Sequence, residues 1–309
     1  MAKAKPPVAS IVVLCHNDGV FLKGCLESVY TYTDVPFEVI LVDNDTQDGF
    51  EDYLDKVAKR RSNCRVIHND VNRFFAGGNN QGLQIAKGKY LVLLNADAVV
   101  GPGWLSGMIA CAERDPKIGL VAPMTNGATG VQLVPQPAYS SITQFPAYVK
   151  RWAKEHAGQW EEAHRLIAFC LLIKREALER VGLLDERFGP GGYEDYDYCL
   201  RAQQAGFLCA LARDVFVHHF GGKGYAGMDY SYHRRVNREV LARKWSQFIF
   251  HALDEMDGLM FVDGVQRAAQ GAEVRGRSIS ASSGAGTPAP ARSSTSSGKA
   301  PGGTSKRLP

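Results

Sequence analysis

The chain has 309 residues, 45% of them hydrophobic, enough for one large core or two small ones. Its formal charge of +4 does not describe a nucleic-acid-binding face, because residues 271–309 hold six Lys or Arg against one Glu and leave 30 basic and 31 acidic residues elsewhere. No run approaches the roughly 18 apolar residues needed to span a bilayer, so any membrane contact is expected to be peripheral.

Seven cysteines (Cys15, Cys25, Cys64, Cys111, Cys170, Cys199, Cys209) lie mostly inside apolar runs, are odd in number and form no Cys-x-x-Cys pair. With no apolar signal segment after Met1, they lead us to expect a reduced cytoplasmic chain, at most peripheral to the inner face of a membrane.

After an extension over residues 1–7, short apolar runs alternate with amphipathic stretches. Ser10 to Cys15 reads as a buried strand and Phe21 to Tyr30 as a helix with Phe21, Leu22, Cys25, Leu26 and Val29 on one stripe. Phe37 to Val42 is a second strand, Phe50 to Ala58 a helix, Cys64 to His68 a third strand, Asn79 to Ala86 a helix and Tyr90 to Leu94 a fourth strand. This order predicts an α/β fold with a mostly parallel sheet flanked by helices. A ligand site is then expected at the strands' carboxyl ends, at Cys15 to Asp18, Asp43 to Thr46, Asn69 to Arg73 and Asn95 to Asp97.

Asp43 ends the second strand, where a carboxylate can accept the imide N–H of a uracil or thymine; Asp45, Thr46 and Asp48 read better as helix caps. The segment Arg73 to Gly82 holds Gly77, Gly78 and Gly82 with Asn79 and Asn80, a glycine-rich turn whose backbone N–H groups suit a phosphate. It is neither a P-loop nor a dinucleotide fingerprint. Asp97 follows the apolar run Leu91 to Leu94, where a carboxylate needs a hydrogen bond or a cation. Its oxygens suit Mg2+ or Mn2+; capping a turn is the plainer role.

In the second half, a glycine turn from Gly189 to Gly192 opens a helix with Glu194, Asp195 and Asp197 in its first turn. Asp197 and Arg201 are spaced for a surface ion pair. Glu194 and Asp195 project about 100° apart, so one can face a pocket while the other supports it. Val215 to Val217 leads into His218 and His219, either of which can complete a metal shell with Asp97. Phe145, Tyr148, Val149 and Trp152 lie at helical spacing, which suits core packing better than an acceptor wall. The aromatics from Tyr225 to Tyr232 are a second candidate wall for a ligand.

From about Val8 to Gly224 the chain resembles a family 2 glycosyltransferase of the GT-A fold, in the rhamnosyltransferase-like branch. The matching stretches are Ser10 to Asp18, Val39 to Gly49, Asn72 to Tyr90, Leu93 to Leu105 and Phe169 to Phe207, ending in His219-Phe220-Gly221-Gly222. The resemblance implies a nucleotide-sugar half (8–105), an acceptor and catalytic half (106–265) and a tail (266–309). Of residues 271–309, 29 of 39 are Gly, Ala, Ser, Thr or Pro, a composition expected to be disordered.

The resemblance also assigns roles. The donor, a dTDP- or UDP-sugar with dTDP-rhamnose among the choices, would be bound by Asp43, Asn17, Arg73, Gly78, Asn79 and Asn95. Asn95-Ala96-Asp97 stands at the family's Asp-x-Asp position with Asn95 in place of the first acid. Asp97 and His219, with His218 as the alternative, would hold Mg2+ or Mn2+. Asp195, with Glu194 beside it, falls on the general base of an inverting transfer to a glycan, lipid-linked glycan or protein. A sugar-nucleotide nucleotidylyltransferase would instead need a basic glycine loop after the first strand, where Cys15-His16-Asn17-Asp18 stands. A non-catalytic glycan-binding protein would tolerate loss of the acids, and all are present.

Overall fold

The computed structural model describes residues 7–221 and 230–245. Residues 1–6, the glycine-aromatic stretch 222–229 and the tail 266–309 lie outside the described residues.

Strands β1 (Ala9–Cys15), β2 (Phe37–Asn44), β3 (Cys64–Asn69) and β4 (Tyr90–Asn95) run parallel in the order β3-β2-β1-β4. Helices α1 (Gly19–Tyr32), α2 (Glu51–Arg60) and α3 (Phe74–Ile85) connect them. Successive strand side chains point to opposite faces, and both faces are covered, which explains the unbroken apolar runs. Ile11, Val13, Val39, Leu41, Val92 and Leu94 pack with Leu22, Leu26, Val29 and Leu54 in one layer. Val12, Ile40, Val42, Leu91 and Leu93 pack with Ala76 and Leu83 in the other.

The second half extends the same sheet. It contributes β5 (Ala98–Val99), α4 (Trp104–Ala112), β6 (Ile118–Met124), α5 (Phe145–Glu155), β7 (Trp160–Glu162), β8 (Cys170–Lys174), α6 (Arg175–Val181), α7 (Glu194–Gln204), β9 (Leu208–Phe216), β10 (His218–His219) and α8 (Tyr230–Lys244). The main sheet has the order β3-β2-β1-β4-β8-β6-β9-β7, with β8 antiparallel to both β4 and β6, β9 parallel to β6, and β7 antiparallel to β9.

Two expectations change. The segment Arg73 to Gly82 is not a turn: α3 begins at Phe74, so Gly77, Gly78 and Gly82 are helical. The strand from Val215 does not run through the histidines, because β9 ends at Phe216 and β10 leaves the main sheet to pair antiparallel with β5. On α5, Phe145, Tyr148 and Val149 pack against Met124, Leu211 and Phe216, a small core of their own.

Candidate active site

The two-residue ribbon β5–β10 builds the first part of the site. Its register sets His219 opposite Ala98 and His218 opposite Val99, so His219 arrives beside Asp97. His219 Nε2 is 3.1 Å from Asp97 Oδ1 and 3.4 Å from Asn95 Nδ2, and both Asp97 and His219 are buried. The other ring nitrogen, Nδ1, is 2.6 Å from the Gly127 carbonyl oxygen, which can only accept, so the hydrogen bond assigns the proton to Nδ1. Nε2 then turns its lone pair toward a carboxylate, an arrangement that a proton or a bound cation between the two relieves.

Asn126 fixes the backbone of the same residue. Its Oδ1 accepts the His219 N–H at 3.0 Å and its Nδ2 donates to the His219 carbonyl at 3.0 Å. The His219 ring also stacks on Phe169 at 4.7 Å.

Strand alternation turns His218 the other way. Its Nδ1 meets Tyr139 Oη at 2.5 Å, and its ring packs against Phe145 and Phe220. Burial, with the neighbouring His219, holds its pKa down to about 4, so it stays neutral. Of the two histidines, the geometry brings His219 to Asp97. Among the described residues no group of three His, Cys, Asp or Glu side chains is arranged for a metal. A cation here would therefore rest on Asp97 and His219, an oxygen and imidazole set that suits Mn2+ or Mg2+, with oxygens of a ligand completing the shell.

The residues expected on the donor side lie at the ends of β1, β2 and β3. Asp43 Oδ1 accepts the Thr46 N–H at 3.0 Å, and Oδ2 meets His68 Nδ1 at 2.8 Å. Asp43 is thus a cap as well as a strand-end acid, and each oxygen keeps a further lone pair. Asn17 adopts φ 56° and accepts the Gln47 N–H at 2.7 Å, tying the end of β1 to that of β2. The Arg73 backbone N–H donates to Asn44 Oδ1 at 2.9 Å, while its exposed guanidinium makes no ion pair among the described residues.

Gly78 and Asn79 both pack within α3. A Cβ on Gly78 would lie 2.3 Å from Leu14 Cδ1, so this glycine lets α3 approach β1. Asn79 is buried and donates back to the Phe75 carbonyl at 2.9 Å inside the helix.

The acids of α7 form the third part. Tyr193 precedes them at φ 76°, after Gly191 and Gly192, also at positive φ. Asp195 Oδ1 accepts the Tyr196 N–H at 2.7 Å and Oδ2 the Ala168 N–H at 3.4 Å. Glu194 is buried with Oε2 unpartnered, and burial followed by the charge of Asp195 raises its pKa well above the usual carboxylate range. Ala168 and Phe169 join the parts: the Ala168 N–H touches Asp195, the Phe169 ring stacks on His219, and the Phe169 carbonyl accepts the Asn95 N–H at 2.8 Å.

The sequence pattern described as "Glycosyl transferase family 2" matches residues 10–182, more than half of the chain. The chain belongs to glycosyl transferase family 2. The N-acetylglucosaminyl-diphospho-decaprenol L-rhamnosyltransferase of Mycobacterium tuberculosis is 24% identical over 242 residues, covering 69% of this glycosyltransferase and 76% of that enzyme. An uncharacterised protein of Sinorhizobium fredii is 26% identical over 270 residues, 79% of this chain, which spans only 28% of that relative's length.

Solved structures share the GT-A fold. GalNAc-T7 with UDP, GalNAc and Mn2+ is similar at TM-score 0.58 and 19% identity, over 72% of this chain and 45% of that one. The Pyrobaculum calidifontis mannosyltransferase with GDP-Man and Mn2+ is similar at TM-score 0.54 and 20% identity, over 76% of this chain and 61% of that one.

Three further residues carry charge near these groups. Asp18, at the N-terminus of α1, has its pKa pushed up to about 7 by burial and then by the charge of Asp97, so it shares that field. Its place at the end of β1 was the available signal. His68 bridges Asp43 and Asp55; burial lowers its proton affinity, but the hydrogen bonds to both acids outweigh that and raise it. Asp197 pairs with Arg201 at 2.9 Å, as the spacing suggests, but the pair is not on the surface. Asp197 is fully buried and also meets Lys244 Nζ at 2.7 Å and Trp245 Nε1 at 2.9 Å.

Proposed function

We propose that this enzyme is an inverting, metal-dependent glycosyltransferase that moves a sugar from a dTDP- or UDP-sugar to a hydroxyl of a glycan, lipid-linked glycan or protein. The observation that carries the reading is the joint at Ala168–Phe169, which sets the acid pair of α7 beside the Asn95, Asp97 and His219 cluster. Two chemistries needed in one displacement are thereby held by one short segment. The M. tuberculosis relative, a rhamnosyltransferase acting on a lipid diphosphate by its name, supports a rhamnosyl donor and a lipid-linked acceptor.

A Mg2+ or Mn2+ held by Asp97 and His219 would supply positive charge to the departing diphosphate. Asp43, Asn17, Arg73 and Asn95 border the donor in this reading. Asp195 takes the proton of the acceptor hydroxyl while its oxygen forms the bond to the anomeric carbon. The bond from that carbon to the diphosphate oxygen breaks, and its electron pair leaves with the diphosphate. One displacement from the opposite face inverts the centre, and no covalent sugar intermediate is needed. Glu194, buried with Oε2 unpartnered, is the supporting member of the pair. Seven buried, unpaired cysteines suit a reducing cytoplasm, with peripheral contact at the inner membrane face where a lipid-linked acceptor would sit. No helix among the described residues is long and apolar enough to cross a membrane.

The test is a thermal-shift and transfer assay with UDP-, dTDP- and GDP-sugars, with and without Mn2+. Asp195→Asn should abolish transfer, by roughly 10²–10⁴-fold for loss of a general base, and leave donor binding intact. Wild-type turnover in that variant rejects the base assignment; if Glu194→Gln alone loses turnover, the two acids exchange roles. A preference for GDP-sugars counts against Asp43 as the reader of a pyrimidine.

A further inference from the structure

Between Asp185 and Glu194 the chain has a short 3-10 turn and then little regular structure. Gly189, Gly191, Gly192 and Tyr193 all take positive φ, at 53°, 133°, 96° and 76°. Glycines visit many conformations, so a segment of this kind stays in one only if bonds from outside hold it.

Those bonds come from helices at either side. On α3, the buried Asn80 accepts the Leu184 N–H at 2.9 Å, donates to the Leu184 carbonyl at 3.0 Å, and reaches Glu186 at 2.9 Å. On α8, Asn237 is buried, and its Nδ2 donates one N–H to the Phe188 carbonyl and the other to the Gly191 carbonyl at 2.9 Å. The primary amide supplies both donors from one nitrogen. Farther along α8, Lys244 Nζ lies 2.7 Å from Asp185 Oδ2 and 2.7 Å from Asp197 Oδ1. The glycine segment is thus clamped at its start, and again within three residues of Glu194.

Resting on the function proposed above, we infer that Asn237 is a positioning residue for the acid pair: α8 straps the Phe188–Gly191 turn and so fixes where Glu194 and Asp195 stand at the start of α7. Asn237 need touch no substrate to do this. Its loss lets the turn sample other conformations and moves Asp195 away from the acceptor oxygen, while Asp97, His219 and the donor side keep their bonds.

The experiment compares full-length wild type, Asn237→Ala and Asn237→Ser by steady-state kinetics, Mn2+ and nucleoside-diphosphate binding, and amide hydrogen exchange. Asn237→Ala should lower kcat by about ten- to a hundredfold, the range for a misplaced catalytic group, with donor KM and Mn2+ affinity within about twofold. Exchange should quicken over residues 186–193 and stay unchanged at β4 and β5. Asn237→Ser, which keeps one donor, should fall between and carries the same readout if the alanine variant does not fold. Unchanged kcat, unchanged exchange, or donor binding lost in step with kcat overturns the assignment. A wild-type protein that binds none of the UDP-, dTDP- and GDP-sugars with Mn2+ rejects the proposed function instead, and exchange at 186–193 then still tests the strap.

Discussion

Asp97 and His219 owe their contact to a small residue behind them. A Cβ on Gly127 would sit 2.3 Å from the His219 carbonyl oxygen, and backbone cannot yield cheaply, so the loop that receives Nδ1–H must shift. Gly127→Ala should weaken Mn2+ binding by about tenfold or more, the usual effect of disturbing a ligand's supporting hydrogen bond, as measured by calorimetry. Unaltered affinity would remove His219 from the metal site. Asp97→Ala should abolish both metal binding and metal-dependent turnover, and full activity in chelator would reject the metal altogether. Glu194 gives a pH test. Burial raises its folded-state pKa, so the native protein holds this proton more tightly than the unfolded chain. Stability therefore falls as pH climbs from the ordinary glutamate range through the raised value. Glu194→Gln, which cannot ionise, should gain melting temperature over wild type at pH 8 and much less at pH 5. A difference independent of pH would contradict the assignment.

Helix α3 carries the plainest lesson about packing. A Cβ on Gly82 would meet Val12 Cγ1 at 2.4 Å, and Val12 is a fully buried, β-branched side chain with no room to turn. Gly82→Ala should thus destabilise by about 1–3 kcal/mol from overpacking, although alanine is the better helix former by about 1 kcal/mol. At Gly78 the clash is with the end of a flexible, partly exposed Leu14, so Gly78→Ala should be milder and leave donor KM unchanged. A raised donor KM there would support the phosphate-cradle expectation. From the chain alone these glycines read as a turn, because glycine is rare in helix interiors and the partner that demands it lies on another element. The parallel strands were legible for the opposite reason: double-sided burial writes itself locally as runs such as Ile11-Val12-Val13. The first turn of α7 was legible as a cluster of acids, but the distinct fates of its members were not. Asp197 was expected at the surface, yet it is buried under Lys244 and Trp245, residues some fifty positions away.

The whole site is assembled from distant parts of the chain, with β4 and β5 in the first half and β8, α7, β10 and α8 in the second. Ligands that bridge those parts should stabilise the fold. Mn2+ with a nucleoside diphosphate at about a hundred times its Kd adds about 2.7 kcal/mol, or roughly 5–10 °C in Tm for a domain of this size. Chelator should cancel that shift, and Tm values equal with and without Mn2+ would count against a shared site. The βα alternation was enough to determine the fold class, since burial on two faces and helix amphipathicity are local periodic signals, while the resemblance to family 2 glycosyltransferases rested on the ordered motif stretches from Ser10 to Gly222. Which histidine meets Asp97, how closely the glycines of α3 pack on β1, and which side chains bond the turn before Glu194 were decided only in three dimensions. Those outcomes depend on the register of a two-residue ribbon and on single asparagine side chains reaching between helices and loops, and neither leaves a periodic trace in the sequence.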